Sequence, residues 1–250
     1  MPSYLWTIII IGLVFVPLEL LLPARKAPGF RWQRYAADIF HVVIGGFLIR
    51  AGTAAVIGGA LGWIGWIGSA WRQPLALQVV EILLICDLGF WLAHRLFHAV
   101  PWLWRFHMIH HSSEHLDWLA AYRVHPLDQI ANSAIILLPA LLLGFSPTAM
   151  LIYGLCYQWH AILLHSNVRI SLGRAGRVIA SPYFHHWHHA NEEGAYNRNF
   201  GGQLVIWDCL FGTAHFPAAS RPVRYGVDDP PTETFLSHIV APVLPRKSNG

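Results

Sequence analysis

Three clusters of histidine residues are the most specific chemical feature of this 250-residue sequence. Within each cluster the spacing is three or four residues, which brings side chains to one face of a helix. The imidazole groups of each cluster are therefore expected to converge on one point. The members are His94 and His98, then His107, His110 and His111, and finally His185, His188 and His189.

Imidazole groups in this pattern indicate a metal centre. Neutral imidazole is a good ligand for iron, zinc, copper and nickel, and it adds no negative charge to the site. One tetrahedral site takes about four ligands, so eight imidazoles indicate two metal ions, although they do not identify the element. His41, His215 and His238 lie outside the clusters and are interpreted as ordinary surface or core residues.

The composition is that of an integral membrane protein. Hydrophobic residues make up 55% of the chain and charged residues 12%, and the mean hydropathy is +0.43. Together with the apolar runs of the chain, these values predict an all-α, polytopic membrane bundle of four or five spans with a cytoplasmic histidine-rich cap. The net charge of +4 comes from scattered basic residues, which argues against a nucleic-acid partner. Three cysteines without CxxC spacing predict neither a disulfide framework nor a thiolate site.

The first apolar run, from Leu5 to Leu22, is about 27 Å long as a helix and is interpreted as an uncleaved membrane anchor. Basic residues follow it, and by the positive-inside rule they place the next loop in the cytoplasm. These residues are Arg25, Lys26, Arg31 and Arg34.

A glycine-rich run from Ile39 to Ala70 predicts one crossing with close helix packing. Arg50 lies in its middle and has three interpretations: it snorkels, it pairs with an acid such as Glu81, or it marks a broken span. Trp63, Trp66 and Trp71 predict an interfacial belt on the outer side.

The next apolar helix, from Leu75, contains an acid. Asp87 shares a helical stripe with Trp91, His94 and His98, and an intramembrane acid indicates a functional site. We expect Asp87 to accept a hydrogen bond from a ligand imidazole and so fix its tautomer. The alternative is a structural partnership with Arg50 or Arg95.

Pro101 ends that helix, and two more spans follow, Leu127 to Leu143 and Pro147 to Leu164, joined as a hairpin. Five crossings carry the chain from an outer N-terminus to a cytoplasmic C-terminus and place every histidine cluster on the cytoplasmic side. We interpret residues 1–250 as one domain, with N-terminal spans (1–74), a histidine-box core (75–213) and a tail (214–250). The C-terminal part from Ser166 to Gly250 contains no further span and is expected to fold back under the membrane part.

The HxxxH, HxxHH and HxxHH boxes resemble those of the fatty acid hydroxylase/sterol desaturase superfamily of membrane di-iron enzymes. The resemblance runs from about Leu75 to Thr213. It extends to Asp87, His111–His115, Arg123–Pro126, His165–Asn167, Asn199–Gly201, Trp207–Asp208 and Phe211–Thr213.

The resemblance implies two iron ions, O2 as co-substrate and electrons from a separate electron-transfer protein. It also implies His165 as a ninth ligand, beside the eight boxed histidines. The implied reaction is hydroxylation, or desaturation, of a C–H bond in a sterol, carotenoid, fatty acyl chain or ether lipid. The active site is then cytoplasmic, at a bacterial inner membrane or the endoplasmic reticulum.

Other functions remain open at this point. His111-Ser-Ser-Glu-His115 matches the HxxEH signature of a zinc peptidase, with Glu114 as base, but a peptidase leaves five boxed histidines unexplained. A metal transporter would distribute its ligands along a path across the bilayer. An isomerase or cyclase on the same metal scaffold is a further alternative.

Arg123 and His125 have two interpretations, as residues that line the mouth of the site or as structural residues. His115, His160 and His186 lie off the helical faces that carry the candidate ligands.

Overall fold

The protein is described here by a computed structural model that covers residues 2–26, 32–64, 73–217 and 221–244. Within these ranges the secondary structure is helical, with three isolated β-bridges, which confirms the all-α prediction. The helices are α1 (Pro2–Leu21), α2 (Trp32–Phe40), α3 (Gly46–Ile64), α4 (Leu75–Ala99), α5 (Pro101–His111), α6 (Pro126–Leu142), α7 (Pro147–His165), α8 (Pro182–His188), α9 (Ile206–Leu210) and α10 (Phe235–Val240).

Three of the described helical runs are long and apolar enough to cross a membrane, namely Tyr4–Leu21, Trp32–Trp63 and Leu75–Ala99. They confirm a polytopic membrane bundle. The two hairpin helices differ from these runs. Helix α6 is shorter, with 17 residues, and α7 is less hydrophobic because it carries Gln158, His160 and His165. The polar residues of α7 lie toward its C-terminal end, and His165 lies among the boxed histidines.

The second helical run starts earlier than the sequence predicts. A π-helical segment, His41–Gly45, joins α2 directly to α3, so the helical run starts at Trp32. Close packing holds for part of the glycine run: a Cβ at Gly52 would lie 2.3 Å from Ile130 Cδ1 of α6, whereas Gly58 has open space around it. Trp66 and Trp71 of the predicted belt, Arg31 of the basic loop and residues 245–250 of the tail lie outside the described residues.

The centre of the bundle is formed by α4, α6 and α7. Their apolar side chains pack in one cluster made of Ile82, Cys86, Ile136, Ala140, Phe145, Ala149 and Tyr153. Pro101 starts α5 directly after α4 ends, as the sequence predicts. The α6–α7 hairpin turns at Gly144, whose φ of +75° favours glycine, and the Ser146 side chain then caps α7.

The histidine-bearing segments gather at one end of the bundle. There the chain after α1 pairs with the chain after α7, since Ala24 N donates to Asn167 O at 2.9 Å. The C-terminal segment also returns to this end: Phe235 of α10 stacks on Phe40 of α2, and the Arg25 guanidinium donates to Val223 O. The C-terminal segment thus packs against α2 and the connection after α1, at the end of the bundle that holds the histidines.

Arg50 and the core histidines His41 and His238 make contacts that the sequence did not specify. The Arg50 guanidinium lies over the Tyr4 ring, 5.2 Å from its centroid, and no ion pair with Glu81 is present among the described residues. His41 and His238 are not independent, because His41 Nε2 lies 3.0 Å from His238 Nδ1 in a buried pair.

Arg123 links three segments below the bundle. Its side chain is 1% exposed, its Nε donates to Asp38 Oδ1 at 2.7 Å, and its Nη2 lies 3.3 Å from Glu233 Oε1. His125 caps α6, since its Nδ1 accepts from Leu127 N while its Nε2 donates to Ile239 O. Of the two roles considered for Arg123 and His125, these contacts support the structural one.

We expect Arg123→Met to lower the free energy of unfolding by about 3 to 5 kcal/mol, because it leaves the buried Asp38 carboxylate without its partner. Thermal unfolding of the purified protein in detergent measures the effect. Arg224→Met is the matched control, since its pair with Asp228 is 61% and 73% exposed and contributes less than about 1 kcal/mol. Equal stability of the two variants would contradict the structural role of Arg123.

Candidate metal centre

The structure brings the nine predicted ligand histidines together in two adjacent groups. In each group one ring nitrogen of every member lies within 4.8 Å of the others. The first group is His94, His98, His107, His111 and His188, and the second is His110, His165, His185 and His189. Eight of the nine side chains are buried, and His98 is partly buried.

The division between the groups corrects one expectation, namely that each cluster addresses a single point. On α5, His107 and His111 belong to the first group and His110 to the second; on α8, His188 is separated from His185 and His189. The physical reason is helix geometry, since neighbouring residues are about 100° apart around the axis whereas residues four apart nearly align. Each of these clusters therefore serves both groups.

The first group has the donor atoms that a metal ion requires. The Nε2 atoms of all five histidines are buried and have no hydrogen-bond partner among the described residues. A buried polar atom without a partner is costly, and five in one place form a site that could hold a metal ion. A metal ion would satisfy these five lone pairs together.

The other ring nitrogens explain why the lone pairs face inward. Nδ1 of His94 lies 2.9 Å from Phe200 O, and Nδ1 of His188 lies 2.8 Å from Arg198 O. A carbonyl oxygen can only accept, so Nδ1 carries the proton and Nε2 keeps the lone pair. This is the tautomer that metal-ligating histidines adopt.

The second group is tighter. Nδ1 of His110 donates to Arg123 O and Nδ1 of His165 to Ala161 O, so both Nε2 atoms carry lone pairs, yet they lie 3.0 Å apart. Nε2 of His185 and His189 complete the group at 2.9 and 3.2 Å from His165 Nε2. A tetrahedral ion with bonds of about 2.0 to 2.1 Å separates its ligand nitrogens by about 3.3 Å. The spacing of the second group fits such an ion.

Burial keeps these imidazoles neutral. Desolvation, reinforced by neighbouring histidines, lowers the pKa of His110, His111, His185 and His189 well below its usual value. Burial lowers the pKa of His188 to about 3, against the hydrogen bond that its Nδ1 donates to Arg198 O, which raises it. Neutral rings are available to a metal at physiological pH without first losing a proton.

The predicted hydrogen bond from a ligand imidazole to Asp87 is wrong. The Asp87 carboxylate accepts instead from Gln203 N at 2.8 Å, Leu204 N at 2.9 Å and Trp207 Nε1 at 3.1 Å. An ion pair with Arg50 or Arg95 is likewise absent from the described residues. Asp87 therefore fastens α4 to the loop whose Phe200 carbonyl orients His94.

A second carboxylate fixes the same loop. Asp208 accepts from Phe200 N and Gly201 N at 2.8 and 2.7 Å, and also from Trp91 Nε1 and Thr213 Oγ1. The loop has no room for a side chain at Gly201, where a Cβ would lie 2.3 Å from Leu204 O. The loop is thus held from two sides, and its carbonyl position is well determined.

Asp128 is the acid that contacts a ligand histidine, and the sequence analysis missed it. Its Oδ2 accepts from His107 Nδ1 at 2.8 Å and its Oδ1 from Asn132 Nδ2 at 2.9 Å. The available signal was the one applied to Asp87, an acid in an apolar helix. Asp128 occupies the first turn of α6, at the end of the bundle where the histidines gather.

The other histidines singled out in the sequence lie outside both groups. His160 Nε2 donates to Ala180 O, and His186 lies between Ser166 O and the Tyr225 hydroxyl. Neither Glu114 nor His115 belongs to either group, although His111 does. The HxxEH pattern therefore does not form a separate cluster within the described part of the chain.

One cavity of about 280 Å³ reaches both groups. Its wall includes His94 and His107 of the first group and His110, His165 and His185 of the second. Phe90, Tyr157 and Ile162 add apolar surface, and Arg50 and Tyr4 lie at its edge nearest α1 and α3. The cavity gives a small molecule access to the imidazoles from within the bundle.

Residues 79–213 match the family described as fatty acid hydroxylase. Ornithine lipid hydroxylase OlsE of Rhizobium tropici is 31% identical over 96% of this chain and 74% of its own length. Alkylglycerol monooxygenase of Homo sapiens is 34% identical over 58% of this chain, which matches 32% of that protein. Cholesterol 25-hydroxylase of Homo sapiens is 29% identical over 59% of this chain and 54% of its own length. No solved structure shows a significant match.

We expect His188→Ala to abolish metal retention by the first group, because it removes one of five converging lone pairs and its Nδ1 contact to Arg198 O. His186→Ala is the matched control: it is a neighbouring, buried histidine of α8 outside both groups. Elemental analysis of the purified variants gives the metal content. Full loading of His188→Ala, or loss of all metal in His186→Ala, would contradict the grouping.

Asp128→Asn replaces a charged acceptor for His107 Nδ1 by a neutral one of the same size. Loss of such a partner typically weakens metal affinity or activity by about 10- to 100-fold. Titration with a competing chelator measures the affinity, with Asp228→Asn as the control, since Asp228 lies outside the site and is 73% exposed. An unchanged affinity in Asp128→Asn would show that the contact does not tune His107.

Proposed function

Because the chain belongs to the fatty acid hydroxylase family, we propose that it is an O2-dependent di-iron enzyme that hydroxylates a membrane lipid. The observation that carries the proposal is the convergence of unpartnered Nε2 atoms in two adjacent groups on one cavity. Two groups account for two metal ions, and the cavity accounts for access by a substrate carbon.

In this proposal the first iron is held by the five-histidine group and the second by the four-histidine group. Imidazole accepts several transition metals, and the choice of iron comes from the family. When bound, the irons supply the activation of O2 that oxidises the C–H bond. One oxygen atom enters that bond, and the other leaves as water with two protons and two electrons.

The protein's own residues orient the ligands and shape the substrate space. Phe200 O, Arg198 O and Asp128 fix the ring orientation of His94, His188 and His107, so the imidazoles need not reorganise when metal binds. Apolar side chains in the cavity wall exclude water from the substrate carbon. Tyr157 and Asn132 add polar groups that could orient a bound chain.

The relatives guide the choice of substrate and reaction. Their names refer to an ornithine lipid, alkylglycerols and cholesterol, which are all amphiphilic lipids, and to hydroxylation or monooxygenation. We therefore favour hydroxylation over desaturation for this chain, with a lipid drawn from the bilayer as substrate. Electrons then come from a separate electron-transfer protein.

We place the active site on the cytoplasmic side. The basic residues after α1, such as Arg25, lie at the same end of the bundle as the histidines, since Arg25 N donates to Asn167 Oδ1 beside His165. Accessibility of a cysteine introduced at exposed Lys26 to an impermeant thiol reagent in oriented vesicles decides the side. Labelling only from the outer face would overturn the assignment.

The function is tested with full-length protein loaded anaerobically with Fe(II) and reconstituted with a total lipid extract and a reductant. We expect about two irons per chain and, under ¹⁸O2, a lipid product that gains one ¹⁸O atom. The His188→Ala protein should give no product, whereas His186→Ala should retain it. One tightly bound zinc with peptide hydrolysis abolished by Glu114→Gln would instead favour the zinc peptidase.

A further inference from the structure

Arg50 is a cation within a membrane-spanning helical run, and among the described residues it has no carboxylate partner. Its side chain is exposed, and its guanidinium lies over the Tyr4 ring, 5.2 Å from the centroid. A charged group inside a membrane-spanning run is costly, and proteins retain one there chiefly for function. The ring contact leaves the five N–H donors of the guanidinium largely available.

Arg50 and Tyr4 line two cavities. One is the cavity that reaches the histidine groups, and the other is a smaller pocket bounded by Phe47 and Ala51. Phe47 is 51% exposed on the outer face of α3. Arg50 therefore stands between the lipid-facing surface of the bundle and the metal centre, at an opening between α1 and α3.

The surroundings of Arg50 suit an anion. Gln129, Asn132 and Gln158 line the same cavity and supply neutral polar groups. Asp128, the carboxylate of that wall, is already held by His107 and Asn132. A guanidinium binds carboxylate or phosphate through two parallel hydrogen bonds, which a lysine cannot reproduce.

We propose that Arg50 binds the anionic group of the lipid substrate, a carboxylate or a phosphate, at the opening between α1 and α3. This inference rests on the proposed lipid-oxidising function and adds the class of headgroup. Arg50 is the residue that distinguishes a charged lipid from an uncharged one of the same chain. The bound anion also neutralises the guanidinium, and this offsets the free-energy cost of placing a charge within the span.

Binding of radiolabelled amphiphiles to the purified full chain in uncharged detergent tests the proposal. Two matched pairs separate the headgroup chemistries: oleate against oleyl alcohol, and dioleoyl phosphatidic acid against dioleoylglycerol. We expect at least one anionic probe to bind about tenfold or more tightly than its uncharged counterpart. A difference confined to oleate identifies a carboxylate site, and one confined to phosphatidic acid identifies a phosphate site.

Arg50→Gln should remove this difference while leaving the binding of the uncharged probe unchanged, and Arg50→Lys should keep part of it. Arg50→Met serves in place of the glutamine variant if that variant does not fold. Arg95→Gln is the matched control, because Arg95 is also exposed in a span and lies 5.2 Å from an aromatic ring centroid, but outside the cavity. Arg95→Gln should bind every probe as the wild type does.

Equal binding of charged and uncharged probes by the wild type would overturn the proposal, as would a difference that persists in both Arg50→Gln and Arg50→Met. Binding needs neither metal nor turnover, so its outcome is separate from that of the oxidation assay. A protein that prefers the anion but never oxidises a lipid would refute the proposed function alone. A protein that oxidises lipids but binds both probes equally would refute the role of Arg50 alone.

Discussion

The structure depends on one constraint, which is that nine imidazoles must be oriented so that one nitrogen of each faces the centre of one of the two groups. A hydrogen bond at the other ring nitrogen fixes the tautomer and the orientation of an imidazole. Carbonyl groups of Ala161, Arg123, Arg198 and Phe200 engage four of the rings, and the Asp128 carboxylate engages a fifth. The histidines come from α4, α5, α7 and α8, and most acceptors come from other segments, so the centre cannot form before the chain has folded around it.

The loop after α8 shows how indirectly this orientation is achieved. Phe200 O contacts His94, but its position is set by Asp208, which receives the Phe200 and Gly201 amides, and by Asp87, which receives the amides of Gln203 and Leu204. Two buried carboxylates therefore support the centre without touching a ligand histidine. Their hydrogen bonds to backbone amides satisfy the charge that burial would otherwise oppose.

The membrane part and the polar end have different kinds of stabilisation. Between α4, α6 and α7 the contacts are apolar, whereas the end that holds the histidines contains buried ion pairs of α2, namely Arg34 with Asp117 and Asp38 with Arg123. Arg123 has two roles at this end of the bundle. Its side chain joins α2 to the C-terminal segment, and its backbone carbonyl orients His110. The geometry of the second histidine group is thereby coupled to the attachment of the tail.

The sequence by itself determined the helical membrane architecture, the breaks at Pro101 and Gly144, and the eight boxed histidines, because hydropathy and residue spacing are local properties. The ninth, His165, came from the resemblance to the family. The sequence could not divide those histidines between two groups, since the division depends on which helix face meets which neighbour. It also assigned the imidazole contact to Asp87 instead of Asp128. In the sequence both residues are acids within apolar helices, and nothing there distinguishes them. Only the packing of α5 against α6 brings the Asp128 carboxylate to 2.8 Å from His107 Nδ1.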